Sequence, residues 1–459
     1  MRMTTLAMAL GSVLLTGCSS MMQKNDFDSF NSKVEAGDYK SASAVALDNA
    51  DYDAETGKTD DLLWTIQAGA TLSYAGDTAL STKMLDQSES MMKSEDKEST
   101  VEKSAETVGS IVGNDAMLDY EQTQYDGVMA NTIKAWNFIG ENDFQNARVE
   151  LNRAEERQRR AAEFFASQIK DQKEELKEKG GDSAELVKSS LESDATKKAL
   201  KSAGFEQEKW QPYKGYVNPF TTYTYGLNLV INGKTKSDYQ KAVDSFKRVY
   251  GLTKSKAVKK DLQLARALAK GKSHSKKNKV WVVFENGKSA IKEEVRLDLP
   301  LFLLSDNVAY TGIALPKLKT RGVTYPYVSV NGQKTETIAD MDKIIGAEFD
   351  KEFPYILARE VTRATVKTIA QKQAGDKNEL LGQGLAVLQA ITTGADIRSF
   401  SALPNQYQVT QLDKKGETME IKAGNFTIPV KLDKTASNHI IYVKAVSPSI
   451  EPTVKVTNI

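Results

Sequence analysis

The stretch Val280-Trp281-Val282-Val283-Phe284 marks the point at which the periodicity of this 459-residue chain changes. Its five consecutive apolar residues, all β-branched or aromatic, predict a buried strand. Asn286-Gly287 follows, and this dipeptide favours a two-residue hairpin turn. Before the strand, the segment 271–279 has the Gly-, Ser- and Lys-rich composition of a linker. The sequence therefore predicts a helical part before this linker and a mixed part after it.

The mixed part, residues 280–459, is predicted to be an α+β domain in which antiparallel strands flank two or three helices. A second dipeptide of the same kind, Asn331-Gly332, predicts a further hairpin. Helical patterns cover 340–352 and 355–373, and Pro354 predicts a break between them. Strand patterns return towards the C-terminus, at 405–412, 417–422, 425–432, 438–446 and 452–458.

Residues 26–270 contain a repeated pattern that is marked by aspartates. A small residue stands four positions after each Asp, and an apolar or small residue stands eight positions after it. An Asp at a helix start accepts hydrogen bonds from free backbone N–H groups, and a small residue one turn later allows two helices to approach closely. The pattern predicts the second helices of helix-turn-helix pairs, whose first helices lie at 61–75, 118–139 and 220–231. The four markers are Asp38, Asp77, Asp143 and Asp238.

This pattern resembles tetratricopeptide (TPR) repeats, although the markers are 39, 66 and 95 residues apart and that repeat has 34 residues. Two polar insertions, at 86–107 and 170–208, explain the irregular spacing. A helical bundle with coincidental Asp-aromatic turns is the alternative. The predicted fold is thus an α+β multidomain chain, with an N-terminal helical TPR-like repeat array followed by a C-terminal antiparallel-sheet domain with helices.

Aromatic residues of the predicted first helices are candidates for lining a concave groove that binds a partner. They are Trp64, Tyr74, Trp136 and Tyr225.

The segment 394–404 carries a second candidate. Asp396, Arg398 and Phe400 stand at alternate positions, so an extended backbone places them on one face. An Asp beside an Arg can grip a polar ligand, or the two can form an internal ion pair that fixes a helix-to-strand corner. We take Asp396 and Arg398 as candidate partner-binding residues, and the internal ion pair remains the alternative.

Composition argues against several classes of function. The 62 basic and 61 acidic residues nearly balance, and no polybasic tail or acidic block stands out, which argues against a nucleic-acid partner. With one cysteine and two histidines, the chain has little material for a zinc site or a Ser/His/Asp triad. We expect no cofactor and no metal. Two carboxylates could still perform acid–base catalysis, but among the 61 acidic residues no spacing identifies a particular pair.

The N-terminus resembles a bacterial lipoprotein signal. Arg2 precedes a short apolar run from Leu6 to Leu15, which is too short to span a bilayer. The segment at the end of this run, Leu15-Thr16-Gly17-Cys18, resembles a lipobox and contains the sole cysteine. Residues 1–17 are therefore predicted to be removed, Cys18 to be acylated with more than one chain, and 18–25 to be an anchor linker. An ordinary signal peptide with an incidental Cys is the alternative.

In enteric-type Gram-negative bacteria, Asp directly after the lipidated Cys favours inner-membrane retention. Ser19 stands there. The expected location is the outer membrane, with the body facing the periplasm.

Four blocks together resemble a group of large TPR-containing lipoproteins of Gram-negative bacteria, an uncharacterised family. Genes of that family tend to lie beside one for a lipoprotein activator of a penicillin-binding protein, so the resemblance implies envelope or peptidoglycan biology. In the family, Trp is usual where Phe400 stands and Thr where Ile397 stands. The blocks are the lipobox, Tyr216-Val217-Asn218-Pro219-Phe220, Val283-Phe284-Glu285-Asn286-Gly287-Lys288, and Ala395-Asp396-Ile397-Arg398-Ser399-Phe400 to Leu403-Pro404.

These observations favour a non-catalytic, periplasm-facing outer-membrane lipoprotein that acts as a scaffold for an envelope protein. A narrower alternative is a regulator of peptidoglycan synthesis that works with the penicillin-binding-protein activator. The third hypothesis is a carboxylate-based hydrolase of the cell wall.

Overall fold

The computed structural model describes residues 24–95, 119–180, 184–205, 213, 217–298, 312–377 and 393–459. The fold is mixed, about 54% helix and 19% strand, and helices precede sheets along the chain as predicted. The helices of the first part are α1 (24–35), α2 (Tyr39–Asn49), α3 (Leu62–Ala75), α4 (Thr78–Glu95), α5 (Gln124–Gly140), α6 (Phe144–Gly180), α7 (Ala184–Glu192), α8 (Asp194–Ser202), α9 (Pro219–Asn232), α10 (Lys236–Thr253) and α11 (Lys256–Ala269).

In its described residues, the second part contains one long helix, α12 (Met341–Gly375), and three sheets. Its strands are β1 (Lys279–Asn286), β2 (Ile291–Asp298), β3 (Gly312–Lys319), β4 (Ser329–Val330), β5 (Gln333–Lys334), β6 (Glu336–Asp340), β7 (Gln406–Asp413), β8 (Thr418–Ala423), β9 (Phe426–Lys431), β10 (His439–Ala445) and β11 (Thr453–Asn458).

Three of the four Asp markers cap the helices that they were predicted to start. Oδ1 of Asp38, Asp77 and Asp143 accepts the backbone N–H three residues further on, at 3.0–3.1 Å. The fourth, Asp238, lies inside the first turn of α10, where Thr235 is the cap and the two side chains form a capping box. Local chain chemistry therefore decides where these helices begin.

The small residues after the markers lie where paired helices touch. Ala42, Ser81, Ala147 and Ala242 have no exposed surface. In the α3–α4 pair, Ser81 Oγ donates a hydrogen bond to the carbonyl of Gly69 at 2.6 Å. The helix-turn-helix pairs predicted from the spacing are therefore present.

The two predicted insertions are more structured than their composition indicates. Residues 86–95 continue α4, and Met92 is fully buried, because one apolar face persists through the polar run; residues 96–107 lie outside the described residues. In the second insertion α6 ends at Gly180, α7 packs against α12, and α8 contacts β2. Phe205, which follows α8, stacks on Phe353 with ring centroids 5.2 Å apart.

The strands form a five-stranded sheet in the order β11-β10-β1-β7-β6, a four-stranded sheet in the order β5-β4-β8-β9, and a β2–β3 ribbon. β1 is antiparallel to β7 but parallel to β10. The prediction of a purely antiparallel domain is therefore wrong at this pair. A parallel neighbour requires a long crossover connection, and here the chain from β2 to β9, including α12, provides it.

Asn286-Gly287 does not form the predicted hairpin, because β1 pairs with distant strands and β2 pairs with β3. The Asn286 side chain instead donates to the carbonyl of Tyr325 at 2.6 Å and accepts the N–H groups of Thr324 and Tyr325 at 3.0 Å. The second dipeptide, Asn331-Gly332, does join β4 to β5, with φ values of 46° and 83°. That turn was predicted correctly.

The two parts of the chain share one hydrophobic core. Along β1, Val280, Val282 and Phe284 face the four-stranded sheet, and the alternate residues Trp281 and Val283 pack among the helices. Helices, five-stranded sheet and four-stranded sheet thus form three layers. The segment 271–279 is a tight turn with a 3₁₀ helix, Ser273–Lys276, that leads directly into β1. Residues 24 and 25 of the predicted anchor linker belong to α1.

Pro354 does not divide α12, so the predicted pair of helices is one helix. A proline inside a helix costs about 3 kcal/mol through the lost N–H and a steric clash. Pro354 lies on the exposed side, and buried residues on both sides of it, Ile345 before and Val361 after, hold the two halves of the helix in place.

Replacing Gly287 by Ala is expected to lower the free energy of unfolding by about 2–4 kcal/mol. Gly287 has a φ of 71°, and a Cβ there would lie 2.1 Å from the carbonyl oxygen of Gly322. Gly332→Ala is the matched control, because Gly332 has a φ of 83° but no heavy atom within 4 Å. It should cost about 1 kcal/mol, the conformational penalty alone. Urea unfolding compares the two; equal losses would show that the close approach is unimportant.

Candidate functional site

The predicted concave groove is filled by the chain's own five-stranded sheet. The Trp136 ring of α5 lies 4.8 Å from the Tyr442 ring of β10. Phe220 of α9 stacks on Tyr407 of β7, with ring centroids 3.6 Å apart and planes 8° from parallel. Aromatic contacts of this kind stabilise the interface beyond the contribution of the apolar area that both layers bury. The inner face of these helices is therefore an internal interface.

Three of the four aromatic candidates lie in internal contacts. Trp64 stacks on Phe27 of α1 at 4.4 Å and meets the edge of Phe30 at 5.6 Å. Trp136 lies between Tyr442 and Phe220. Tyr74 lies under Lys444 of β10, whose ammonium is 3.6 Å from the Tyr74 ring centroid.

Tyr225 of α9 is different, because its ring makes no stacking contact among the described residues. Burial raises the pKa of Tyr225, and the charge of Arg148 opposes that rise. Of the aromatic candidates, Trp64 is buried, whereas Tyr74, Trp136 and Tyr225 each keep part of their surface exposed.

A buried ion pair lies at the centre of the interface between helices and sheet. Glu285 Oε2 on β1 is 2.6 Å from Lys444 Nζ on β10, and both side chains are at most 5% exposed. The Tyr442 hydroxyl donates to the other oxygen of Glu285. The register places Glu285 directly opposite Lys444 on the parallel strand. The pair is held by two central strands and is closed off by Tyr74 of α3.

The surroundings of this pair favour neutral tyrosines. Burial, followed by the negative charge of Glu285, raises the pKa of Tyr74 and Tyr442 well above the ordinary value. Burial lowers the pKa of Lys444, and Glu285 opposes that change. Lysine over a tyrosine face gains a cation–π contribution as well. The arrangement stabilises a charge pair that is almost fully buried.

Asp261 of α11 forms a second buried polar centre against the same sheet. Its carboxylate accepts hydrogen bonds from the Trp281 indole at 2.8 Å, the Tyr223 hydroxyl at 2.9 Å and the Gln411 amide at 3.0 Å. Burial raises the pKa of Asp261 to about 7, although these hydrogen bonds act in the opposite direction. One carboxyl thus joins α9, α11, β1 and β7.

Asp396 and Arg398 form an internal, bidentate ion pair. Arg398 Nε and Nη2 donate to the two carboxylate oxygens of Asp396 at 3.0 and 2.9 Å, and the Arg398 backbone N–H also donates at 2.9 Å. Burial alone would raise the pKa of Asp396, but the charge of Arg398 lowers it. The geometry matches the corner-fixing alternative, since the polar atoms satisfy each other.

Helix α3 holds the same corner through Gln67. Its amide donates to the Ser399 carbonyl and to Ser401 Oγ, both at 3.0 Å, and its oxygen accepts the N–H of Ala402 at 3.1 Å. The Ser289 N–H, after β1, donates to the carbonyl of Leu403 at 2.9 Å. Two of the sequence blocks singled out above, 283–288 and 395–404, therefore meet in space.

A cavity of about 40 Å³ lies where α5, α6 and α12 meet, and it is lined by Tyr125, Gln158, Asn218 and Glu348 among others. Such a volume has room for a few water molecules. Burial raises the pKa of Glu348 well above the ordinary value, and its carboxylate accepts the N–H of Gln124 at 2.6 Å. The space is too small for a sugar ring.

Within the ranges that the structure describes, no three His, Cys, Asp or Glu side chains are grouped so that they could hold a metal ion. None of the helices in those ranges is both long and apolar enough to cross a bilayer. Cys18, the predicted lipidation site, lies outside the described residues.

Comparisons of this chain with the models of protein families, with curated proteins and with solved structures found no match.

Sequence reasoning missed Glu285, Lys444 and Asp261, although two of them leave a signal. Glu285 and Lys444 each stand at an inward position of an otherwise apolar strand, in the runs Val-Val-Phe-Glu and Tyr-Val-Lys-Ala. A charge at such a position predicts a buried partner. Asp261 lies on a Lys-rich helix and resembles a surface residue until α11 is placed on the sheet.

Proposed function

We propose that this protein is a non-catalytic scaffold of the cell envelope, anchored to the outer membrane through lipid on Cys18 and binding an envelope protein through its outer surfaces. The helix pairs would then be a degenerate TPR-like array whose inner face is used by its own sheet. The location rests on the lipobox and on the absence of Asp after Cys18.

The observation that carries the non-catalytic part is the pairing of the buried charges at the helix–sheet interface. Lys444 is matched by Glu285, Arg398 by Asp396, and Asp261 accepts three hydrogen bonds. Groups of this kind are costly to bury alone and are stable once paired. They serve to position the layers, which supports a rigid body that presents surfaces.

Three large apolar side chains stand out on the described surface, and they are where a partner should be sought. Val149 on α6, and Val323 and Tyr327 between β3 and β4, are 37–46% exposed. Photo-crosslinking probes at these positions in living cells test the proposal, with Gln240 and Lys422, also exposed, as polar control positions. We expect one envelope protein, identified by mass spectrometry, from at least one apolar position and not from the controls. No protein capture from a lipidated, folded chain would contradict the scaffold proposal.

Cys18→Ala is expected to remove nearly all of the protein from the membrane fraction and to abolish labelling with an alkyne palmitate. Acylation with two or more chains gives stable anchoring, and the Cys thiol is the acceptor. Ser19→Ala is the control and should retain both properties. Ser19→Asp should retain the label but move the protein to the inner membrane fraction. Full membrane retention by the Cys18→Ala variant would contradict the anchor.

A further inference from the structure

One continuous region of the chain carries most of the positive charge imbalance. Residues 234–279 contain 15 Lys and Arg but only three Asp and no Glu. The remaining chain holds 47 basic and 58 acidic residues, so the near-neutral total hides a strongly polarised molecule. The lysines are interleaved with apolar residues, which is why no polybasic run is visible in the sequence.

The fold gathers these charges on one face of α11. The buried face of that helix holds Ala257, Val258, Leu262, Ala265 and Leu268. The opposite stripe, at helical spacing, is exposed and consists of Lys256, Lys259, Lys260, Gln263, Arg266 and Lys270.

Neighbouring elements extend this surface, which we call the basic face. Helix α10 packs beside α11 and adds the exposed Lys241, Lys247 and Lys254. The turn after α11 adds Lys272 and Lys277. The β7–β8 loop touches that turn, because the Lys414 N–H donates to the carbonyl of Asn278 at 2.7 Å.

Few described carboxylates neutralise the basic face. Asp261 is buried against the sheet, and Asp238 pairs with Arg148 of α6. Asp244 is the remaining acid of the segment. Among the described residues, none of the side-chain nitrogens of Lys256, Lys259, Lys260, Arg266 and Lys270 lies within 4.0 Å of a carboxylate oxygen. The carboxylate of Glu336 accepts the backbone N–H of Lys256 at 2.6 Å, at the start of α11.

The basic face and the N-terminal helix lie at opposite ends of the central strand. Lys279 begins β1 directly after the basic turn, whereas Lys288, just beyond the end of β1, lies 3.8 Å from Glu35 of α1. Eight strand residues span about 25 Å at 3.3 Å each. Cys18 is six residues before α1, a reach of about 20 Å at most. The C-terminal end of α1 therefore lies at the end of β1 that is opposite to the basic turn.

We propose that the basic face binds an anionic polymer that presents carboxylates along a flexible chain, namely the peptidoglycan of the wall. Lysine ammoniums are mobile point charges that suit such a polymer and make no planar, bidentate selection. Of the aromatic side chains of α10, Phe246 is fully buried and Tyr239 and Tyr250 are partly buried, so the face lacks platforms for stacked bases. The choice of the wall over a bilayer rests on the proposed anchor at Cys18.

Sedimentation of the full-length protein, purified in detergent, with purified sacculi tests this proposal. Wild-type protein should bind at 0.05 M salt and be released towards 0.5 M, because exposed charges are screened. The variant Lys256→Gln/Lys259→Gln/Lys260→Gln/Arg266→Gln should bind about tenfold more weakly at low salt, with its fold retained by circular dichroism. Sacculi whose carboxylates have been amidated should lose the wild-type protein to a similar degree.

The matched control removes the same charge from exposed lysines elsewhere. Lys40→Gln/Lys319→Gln/Lys422→Gln/Lys431→Gln should bind sacculi within about twofold of wild type, since a local face rather than net charge is responsible. Equal binding by both quadruple variants would overturn the proposal, and so would equally strong wild-type binding to vesicles containing phosphatidylglycerol. Palmitate labelling of the same preparation reports Cys18 separately, so a failed anchor and a failed basic face are distinct results.

Discussion

Glu285→Met is expected to lower the free energy of unfolding by about 3–5 kcal/mol, the largest effect that we predict for a single substitution. The change leaves the Lys444 ammonium buried beside the Tyr74 and Tyr39 rings without a carboxylate, and it removes the acceptor of the Tyr442 hydroxyl. A buried charge without its partner costs far more than the pair contributes when intact. Urea unfolding, followed by circular dichroism, measures the loss.

The double variant Glu285→Met/Lys444→Met separates charge isolation from packing. Because both charges are then absent and the volumes are kept, we expect it to lose only about 1–2 kcal/mol, less than either single variant. The exposed pair Glu420 and Lys422, 3.0 Å apart, is the control, and the same cycle there should stay below about 1 kcal/mol. Additive losses at Glu285 and Lys444 would show that the pair does not act as a unit.

The second large effect is a dependence of stability on pH that originates at Asp261. Its pKa is about 7 in the folded chain, against an ordinary value of 3.8. Between these values the folded state holds a proton that the unfolded state has released, so stability falls as pH rises from about 4 to about 7. A shift of this size corresponds to roughly 4 kcal/mol at full effect.

Asp261→Asn should remove this dependence, because an amide resembles the protonated acid towards Trp281, Tyr223 and Gln411. Relative to wild type, the variant should gain stability steadily from pH 4 to pH 7.5. Titrations of other groups cancel in this difference. A constant difference over that range would mean that Asp261 is charged throughout.

Asp238→Asn serves as the control for the sign of the effect. Burial alone would raise the pKa of Asp238, but hydrogen bonds from Lys234, Thr235 and Arg148 lower it to about 2. Its contribution to stability is therefore present above pH 4 and is lost as pH falls towards 2. Its difference from wild type should stay flat between pH 4 and pH 7.5.

The positions of helix starts and of many strands could be predicted because local chemistry decides them. Asp38, Asp77 and Asp143 accept hydrogen bonds three residues ahead, an interaction that needs no distant partner. The C-terminal strands alternate in a way that local residues reveal. Asn331-Gly332 forms its hairpin for the same reason, since its two φ values depend on those residues alone.

The candidate site could not be predicted because distant pairing decides it. Trp136 and Tyr74 were expected to line an open groove, which requires that nothing covers the inner helices. The parallel pairing of β1 with β10 brings Tyr442 and Lys444 onto that face instead. Asn286-Gly287 shows the same limit. A dipeptide that favours a hairpin does not form one here, because β1 pairs with strands more than one hundred residues away.

By itself, the sequence determined the order of helices before strands, the capped helix pairs and the balance of charge, because each depends on neighbouring residues or on composition. Only the tertiary structure decided that the sheet occupies the inner helical face and that Glu285 meets Lys444. It also decided that scattered lysines form the basic face. These features depend on which surfaces are buried together. A buried polar or charged group is stable only when it is paired, and its partners here come from distant parts of the chain.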